Sequence, residues 1–251
     1  MCVRAKSLRC AEGKRESMKP VIGIIAACTR EVHPAYTTGH DYVRAVERAG
    51  GLALLLPATP DAVSAGMAQW LALCGGFVLP GGGDVAPTYY GQSPVPQLTS
   101  TDRLRDNVEL TLCRAAAQHK KPLLGICLGM QLLFEKSYEY GEHEGLGFVK
   151  GEVCPLEPDL ADKSLKVPQI GWNALHIVKD DPLFKYIREG EYVYYVHSYY
   201  GKNCTESTLA VSDYSIPVTG AVRAGRVYGT QFHPEKSGDT GLRILKAFAE
   251  L

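Results

Sequence analysis

The sequence predicts an α/β fold, in which an open, mostly parallel, doubly wound sheet carries helices on both faces. Short, continuous apolar runs alternate with amphipathic stretches from Pro20 onward, and such runs are typical of strands buried on both faces. The 251 residues suffice for one such domain, and 45% hydrophobic against 22% charged residues is ordinary for a packed core. We therefore predict a single domain over residues 18–251. Residues 1–17, which are polar and lack periodicity, are predicted to form a disordered N-terminal extension, with an upstream start before Met18 as the alternative.

The N-terminal half alternates between strand and helix signals. Helix 40–51, for example, ends at Gly50-Gly51, a typical C-terminal signal. A loop rich in glycine and proline covers residues 81–100, and loops of this length in compact domains are usually functional. The predicted strands are 21–27, 52–57, 76–80 and 122–127, and the predicted helices are 40–51, 61–73, 103–119 and 128–137.

The pattern changes after Gly145 to shorter alternating segments, which end in a helix from about residue 239 to 251. Reactive residues are expected at the carboxyl ends of the parallel strands. The shorter segments are 148–154, 165–178, 192–197, 208–212, 218–222 and 226–232.

Composition excludes several functions. The 27 basic and 27 acidic residues cancel, which argues against a nucleic-acid partner, and the apolar runs are far too short for a membrane span. The eight cysteines include no C-x-x-C pair, so a zinc ribbon or a thioredoxin-type pair is not supported. We expect no metal and no cofactor. The first 20 residues lack the apolar core of a secretory signal, which predicts a cytoplasmic protein with reduced thiols.

The sharpest motif is Gly125-Ile126-Cys127-Leu128-Gly129, between an apolar strand and a helix signal. It is the thiol version of the G-x-S-x-G nucleophile elbow, in which glycines permit a sharp turn that lifts the nucleophile above the sheet edge. At a helix N-terminus the thiolate of Cys127 would be favoured, and the Leu128 N–H would serve as an oxyanion donor. A buried structural cysteine in a tight turn is the alternative.

A second motif, Thr230-Gln231-Phe232-His233-Pro234-Glu235, ends the predicted strand 226–232. In extended backbone residues i and i+2 share a face, so His233 and Glu235 are expected to point toward one place. A thiol nucleophile needs a base and a group that orients the base. Cys127, His233 and Glu235 supply all three roles, although a lone histidine is more often structural.

GICLGMQ (125–131) with a downstream His-Pro-Glu resembles the class I, or triad, glutamine amidotransferases. The resemblance implies a flavodoxin-like fold with Cys127 as nucleophile, His233 as base and Glu235 as orienting carboxylate. It also implies attack on a γ-glutamyl amide through a glutamyl thioester. Gly82 is then the second oxyanion donor, and the implied substrate-binding residues are Gln131, Glu139, His197, Ser198 and Tyr199.

The two halves resemble different members of this superfamily. Stretches 42–57 and 79–91 are similar to the γ-glutamyl hydrolases, including the γ-glutamyl-γ-aminobutyrate hydrolases. Stretches 125–137 and 229–237 are similar to the glutaminase subunit of imidazole glycerol phosphate synthase. Each similarity has a departure: Gln169-Ile170 replaces the His-Met of that subunit, and Leu128 replaces the arginine usual in the hydrolases.

The leading interpretation is a free-standing hydrolase that cleaves glutamine or a γ-glutamyl amine, with a small-molecule γ-glutamyl amide as its partner. It rests on the long loop after residue 80, which borders the expected pocket. The alternative is a glutaminase subunit that supplies ammonia to a separate synthase, and a homodimer is also left open. A catalytically silent binding protein on the same fold is the second alternative.

Overall fold

The computed structural model describes residues 18–29, 33–82 and 102–251. The predicted extension 1–17 and most of the predicted loop 81–100 lie outside these ranges. Parallel strands form the centre of the main sheet in the order β3-β1-β4-β5-β15, so the predicted α/β architecture is confirmed. These strands are β1 (Val21–Cys28), β3 (Leu52–Pro57), β4 (Gly76–Leu79), β5 (Leu123–Ile126) and β15 (Val227–Thr230).

Antiparallel strands extend this sheet beyond β15. They follow in the order β14, β13 and β10, and the short β2 pairs antiparallel with the end of β1. The sheet is therefore mixed, with its parallel part formed mainly by the N-terminal half. The bounds are β2 (Tyr36–Thr37), β10 (His176–Ile177), β13 (Thr208–Asp213) and β14 (Pro217–Ala224).

Helices cover both faces of the sheet. Ile24 and Ile25 of β1 point to opposite faces and belong to separate hydrophobic clusters, as successive strand residues must. One cluster contains α2 and α3, and the other contains α1 and α5. The helices are α1 (His40–Arg48), α2 (Met67–Leu73, after a π-helical turn at Ala62–Gly66), α3 (Arg103–Gln118), α4 (Leu128–Gln131) and α5 (Gly238–Ala249).

The predicted helix 128–137 is wrong beyond its first turn. Helix α4 ends at Gln131, and Phe134–Ser137 is strand β6. Phe134 is fully buried and packs so closely over Gly201 that a Cβ there would lie 2.4 Å from its ring. Strand pairing and this packing outweigh the helical pattern. The small sheet has the order β7-β6-β8-β12, with β7 (His143–Glu144), β8 (Val149–Pro155) and β12 (Tyr199–Lys202).

A two-stranded antiparallel ribbon, β9 (Gln169–Ala174) and β11 (Tyr192–His197), lies beside the end of β15. The Tyr194 carbonyl accepts a hydrogen bond from the His233 N–H at 2.9 Å, which joins the ribbon to the segment after β15. Within the described ranges, no helix is long and apolar enough to cross a bilayer.

Candidate active site

Cys127 lies at a sharp turn between β5 and α4. Its φ of 54° and ψ of −109° lie where non-glycine residues are strained, as the elbow motif predicts. Gly125 makes the turn sterically feasible, because a Cβ there would lie 2.3 Å from the Gly129 carbonyl oxygen. The Cys127 N–H donates to the Thr230 carbonyl at 2.7 Å, so the elbow is fixed to β15.

Helix α4 has only four residues, so it supplies less of a helix dipole than the longer predicted helix would. Leu128 is its first residue, and the first N–H groups of a helix have no carbonyl partner within that helix. The Leu128 N–H therefore stays a reasonable oxyanion donor. It stands directly after the nucleophile, as the motif requires.

His233 and Glu235 form a buried pair in which Nδ1 and Oε1 lie 2.7 Å apart. The expectation of one extended segment is wrong for the backbone. His233 is extended, but Pro234–Lys236 form a 3₁₀ turn. The turn folds the carboxylate back onto the imidazole, and the Glu235 side chain has no exposed surface. The two side chains thus meet as predicted, by a different backbone geometry.

The pKa of the His233 ring is strongly raised by its neighbours. Burial alone would lower its pKa, but hydrogen bonding and charge interactions with Cys127 and Glu235 outweigh burial and raise the pKa to about 9. Among the described residues, Nε2 of His233 has no oxygen or nitrogen partner, which leaves the Cys127 thiol as its neighbour. At neutral pH the ring is therefore an imidazolium that faces the sulfur.

Gln231 is a site residue that the sequence reasoning missed. Its Nε2 donates to the Cys127 sulfur at 3.7 Å, and its Oε1 accepts from Gln131 Nε2 at 3.1 Å. Gln131 Nε2 also donates to the Tyr199 carbonyl at 3.1 Å. The amide of Gln131, which was predicted to bind substrate, thus orients a second amide that contacts the nucleophile. The only sequence signal was the position of Gln231 two residues before His233.

The segment after β4 lies alongside the elbow. A Cβ on Gly81 would be 3.5 Å from the Ile126 carbonyl and 3.7 Å from the Cys127 Cβ. Gly82, the predicted second oxyanion donor, follows directly, with the Arg105 guanidinium packed against it. The structure therefore brings Gly82 near Cys127, while the loop from Gly83 onward lies outside the described residues.

Three of the predicted substrate-binding residues, His197, Ser198 and Tyr199, lie at the junction of β11 and β12. His197 is only 5% exposed, and its Nδ1 binds the Tyr199 carbonyl at 2.8 Å. Burial lowers its pKa to about 4, against the raising effect of that bond, and the nearby His233 charge lowers it further. His197 is therefore a neutral ring close to His233, and its Nε2 has no partner among the described residues.

Glu139 follows β6 and lies on the Tyr199 side of this region. Burial raises the pKa of the Tyr199 hydroxyl most, and the charge of Glu139 raises it further. Tyr199 packs edge-on against Tyr140 with ring centroids 6.2 Å apart. The Ser198 carbonyl accepts a hydrogen bond from the Leu156 N–H at 2.9 Å. The structure groups these residues, and their contact with substrate remains a prediction.

The model of the class I glutamine amidotransferase family matches residues 99–250. The chain belongs to this family. A second model, Peptidase C26, matches residues 20–136, so the two models overlap over residues 99–136, which include α3, β5 and α4. The homologues in the family are amide hydrolases, and the chain shares their family and fold.

Curated relatives come from imidazole glycerol phosphate synthase. A HisH subunit from Wolinella succinogenes is 52% identical over 136 residues, which are 54% of this chain and 66% of that protein. The HisH subunit of Bacillus licheniformis is 50% identical over 149 residues, 59% of this chain and 70% of its own length. The matched part therefore spans about two thirds of these relatives. The similarity supports the glutaminase-subunit interpretation better than the free-standing hydrolase that we favoured from the sequence.

Solved structures share the fold at low identity. The glutaminase domain of Trypanosoma brucei CTPS, solved with acivicin, has a TM-score of 0.60 at 17% identity, covering 92% of this chain and 94% of that domain. A glutamine amidotransferase from Thermotoga maritima has a TM-score of 0.54 at 16% identity, covering 93% and 84% of the two chains. Both likenesses concern the fold alone.

Proposed function

We propose that the chain is the glutaminase component of a two-protein amidotransferase of the imidazole glycerol phosphate synthase type. It would hydrolyse glutamine with Cys127, His233 and Glu235 and pass the ammonia to a separate synthase subunit. The observation that carries the proposal is the arrangement of the three side chains: Glu235 Oε1 lies 2.7 Å from His233 Nδ1, and the other side of the imidazole faces the Cys127 sulfur.

In the first half-reaction the Cys127 thiolate attacks the side-chain amide carbon of glutamine. The carbonyl π-electrons move to oxygen, and the N–H groups of Gly82 and Leu128 stabilise this oxyanion. The C–N bond then breaks as the His233 imidazolium gives its Nε2 proton to the departing nitrogen, which releases ammonia and leaves a glutamyl thioester. An imidazole that is already protonated at neutral pH suits this step, because the leaving group needs a proton.

The second half-reaction returns the enzyme to its starting state. His233, now neutral, removes a proton from a water molecule that attacks the thioester carbonyl. The C–S bond breaks, glutamate leaves, and Cys127 again faces an imidazolium. Glu235 keeps the ring in one orientation, as the orienting acid does in other triads.

The outer face of the β9–β11 ribbon is a suitable docking surface for the synthase subunit. Ile170, Trp172 and Tyr192 are 60%, 51% and 59% exposed, and Trp172 packs edge-on against the cross-strand Tyr194. Exposed apolar and aromatic clusters of this kind mark protein interfaces. The ribbon also contacts the nucleophile, since the Val196 carbonyl lies 3.9 Å from the Cys127 sulfur. A partner bound there would sit close to the released ammonia.

The test is a glutaminase assay on the purified protein, alone and with an imidazole glycerol phosphate synthase subunit. We expect glutamate release that rises when the partner and its substrate are added, and no release from Cys127→Ala. Cys204→Ala, which removes a buried cysteine whose sulfur contacts Thr208 and Thr219 instead of site residues, is the matched control. Full turnover in Cys127→Ala would refute the mechanism.

A second candidate is hydrolysis of γ-glutamyl amines without a partner, which the Peptidase C26 match over residues 20–136 favours. The same assay separates the two functions when a panel of γ-glutamyl amines is included. Fast hydrolysis of a γ-glutamyl amine by the protein alone, with no response to a synthase subunit, would favour the second candidate.

A further inference from the structure

Tyr42 contacts the segment that leads to the predicted oxyanion donor. It lies on α1, and its hydroxyl oxygen accepts a hydrogen bond from the Gly81 N–H at 3.1 Å. The ring packs against the hydrophobic cluster that also contains α5, so the hydroxyl is held from one face of the sheet.

Arg105 contacts the same segment from the opposite face. It lies on α3, whose buried residues belong to the other cluster. Its Nη2 donates to the Pro80 carbonyl at 3.4 Å, and its Nε donates to the buried Glu109 carboxylate at 2.8 Å. The guanidinium also covers Gly82, where a Cβ would lie 2.5 Å from Nη1.

The two contacts hold the two ends of one peptide group. The Pro80 carbonyl and the Gly81 N–H belong to the same planar unit, so bonds at both ends fix its rotation. The next peptide along the chain carries the Gly82 N–H. Glycine backbone is otherwise free to rotate, and an oxyanion donor is effective only when it is oriented before the reaction.

We infer that Tyr42 and Arg105 are positioning residues that orient the Gly82 N–H. They do so by hydrogen bonding to the Pro80–Gly81 peptide from opposite faces of the sheet. The inference rests on the proposed glutaminase function and deepens it. It assigns to two helices outside the triad the task of positioning the segment that carries the oxyanion donor.

The charge of Glu235 acts on Tyr42. Burial, and next this charge, raise the pKa of Tyr42, so the phenol keeps its proton. The hydroxyl therefore accepts from the Gly81 N–H as a neutral group.

The test uses Tyr42→Phe, Arg105→Lys and the double variant in the glutaminase assay with the synthase subunit present. Phenylalanine keeps the ring packing, and lysine keeps a cation for Glu109 but cannot also reach Pro80. We expect each single variant to lower kcat about tenfold, which is about 1.4 kcal/mol of barrier, with KM within twofold of wild type. The double variant should be no more than threefold slower than either single variant, because both residues hold one peptide.

Two controls separate positioning from general damage. Tyr228→Phe makes the same change in the same cluster, where the ring packs against Phe248, and should leave kcat unchanged. Alkylation of Cys127 by iodoacetamide develops no oxyanion, so its rate should stay within threefold of wild type in Arg105→Lys.

Three results would overturn the inference alone: wild-type kcat in both single variants, fully multiplicative losses in the double variant, or an equal loss of alkylation in Arg105→Lys. If Arg105→Lys fails to fold, wild-type kcat in Tyr42→Phe still overturns it. A wild-type protein that is inactive even with a synthase subunit would instead refute the proposed function, and the inference with it.

Discussion

Replacement of Glu235 by glutamine tests the electrostatics of the site most directly. The Glu235 side chain is fully buried, and its Oε1 lies 2.7 Å from His233 Nδ1. Glutamine keeps the shape and removes the charge. The rise of the His233 pKa from 6.5 to about 9 corresponds to about 3 kcal/mol, which Cys127 and Glu235 supply against the cost of burial. Without the carboxylate, which raises it through a hydrogen bond and its charge, we expect this pKa to fall.

The assay is the pH dependence of Cys127 alkylation by iodoacetamide, measured beside glutamine hydrolysis. A group with a raised pKa stays protonated up to that pKa, so wild-type His233 remains an imidazolium until about pH 9. In Glu235→Gln the ring should lose its proton at lower pH. The limb of the profile that depends on the imidazolium should therefore shift to lower pH. Hydrolysis at pH 7.5 should fall on the order of 10²–10⁴-fold, because the ring also loses its orienting acid.

Glu189→Gln is the matched control. Glu189 pairs with His176 at the same 2.7 Å, but both side chains are exposed. This variant should leave both profiles unchanged. If Glu235→Gln keeps the wild-type limb and hydrolyses glutamine at the wild-type rate, the role assigned to Glu235 is wrong.

Three further predictions concern single residues. Gln231→Leu removes the amide that donates to the Cys127 sulfur and should lower kcat about tenfold, whereas a wild-type kcat would show the contact to be incidental. His197 has a pKa near 6.5 when unfolded and about 4 when folded, so its contribution to stability is present above pH 6.5 and is lost as pH falls toward 4. Between pH 7 and pH 5 denaturant unfolding should show a loss of about 2 kcal/mol from this residue, which His197→Gln should lack. Trp172→Glu should weaken binding of the synthase subunit at least about tenfold in a titration. Glutamine hydrolysis by the protein alone should be retained. Unchanged affinity would exclude the ribbon as the docking surface.

Local patterns predicted the centre of this molecule well. The strands 21–27, 52–57 and 76–80 lie within about one residue of β1, β3 and β4. The sheet buries most of β1 and all of β4, as apolar runs predict. The expected burial of 52–57 is wrong, because β3 pairs only with β1 and leaves Leu52 and Leu55 exposed. The strained elbow at Cys127 follows from two glycines whose missing Cβ atoms let the turn close. Short-range sterics and burial decide these features, and both are visible in a few consecutive residues.

Features that depend on distant partners were missed. Residues 134–137 carry a helical pattern, but the pairing that makes them β6 involves β8 and β7, which lie farther along the chain. Tyr42 has the spacing of a core residue on an amphipathic helix, and its hydroxyl finds Gly81 only after folding, 39 residues away. Gln231 is likewise separated by 104 residues from the sulfur that it contacts.

The position of the site also explains why the two halves of the chain suggested different functions. The carboxyl ends of β4, β5 and β15 are adjacent, because these strands are neighbours and parallel. They bring together Gly82 from the segment that matches Peptidase C26, His233 from the segment that matches the amidotransferases, and Cys127 from the region that both models cover. In the proposed function the amide chemistry needs all three strands, so it is common to both similarities. The choice of partner is proposed to depend instead on the β9–β11 ribbon, which lies wholly within the amidotransferase segment. That ribbon carries the exposed aromatic face and contacts the nucleophile. We therefore expect the C-terminal similarity to decide which synthase subunit receives the released ammonia.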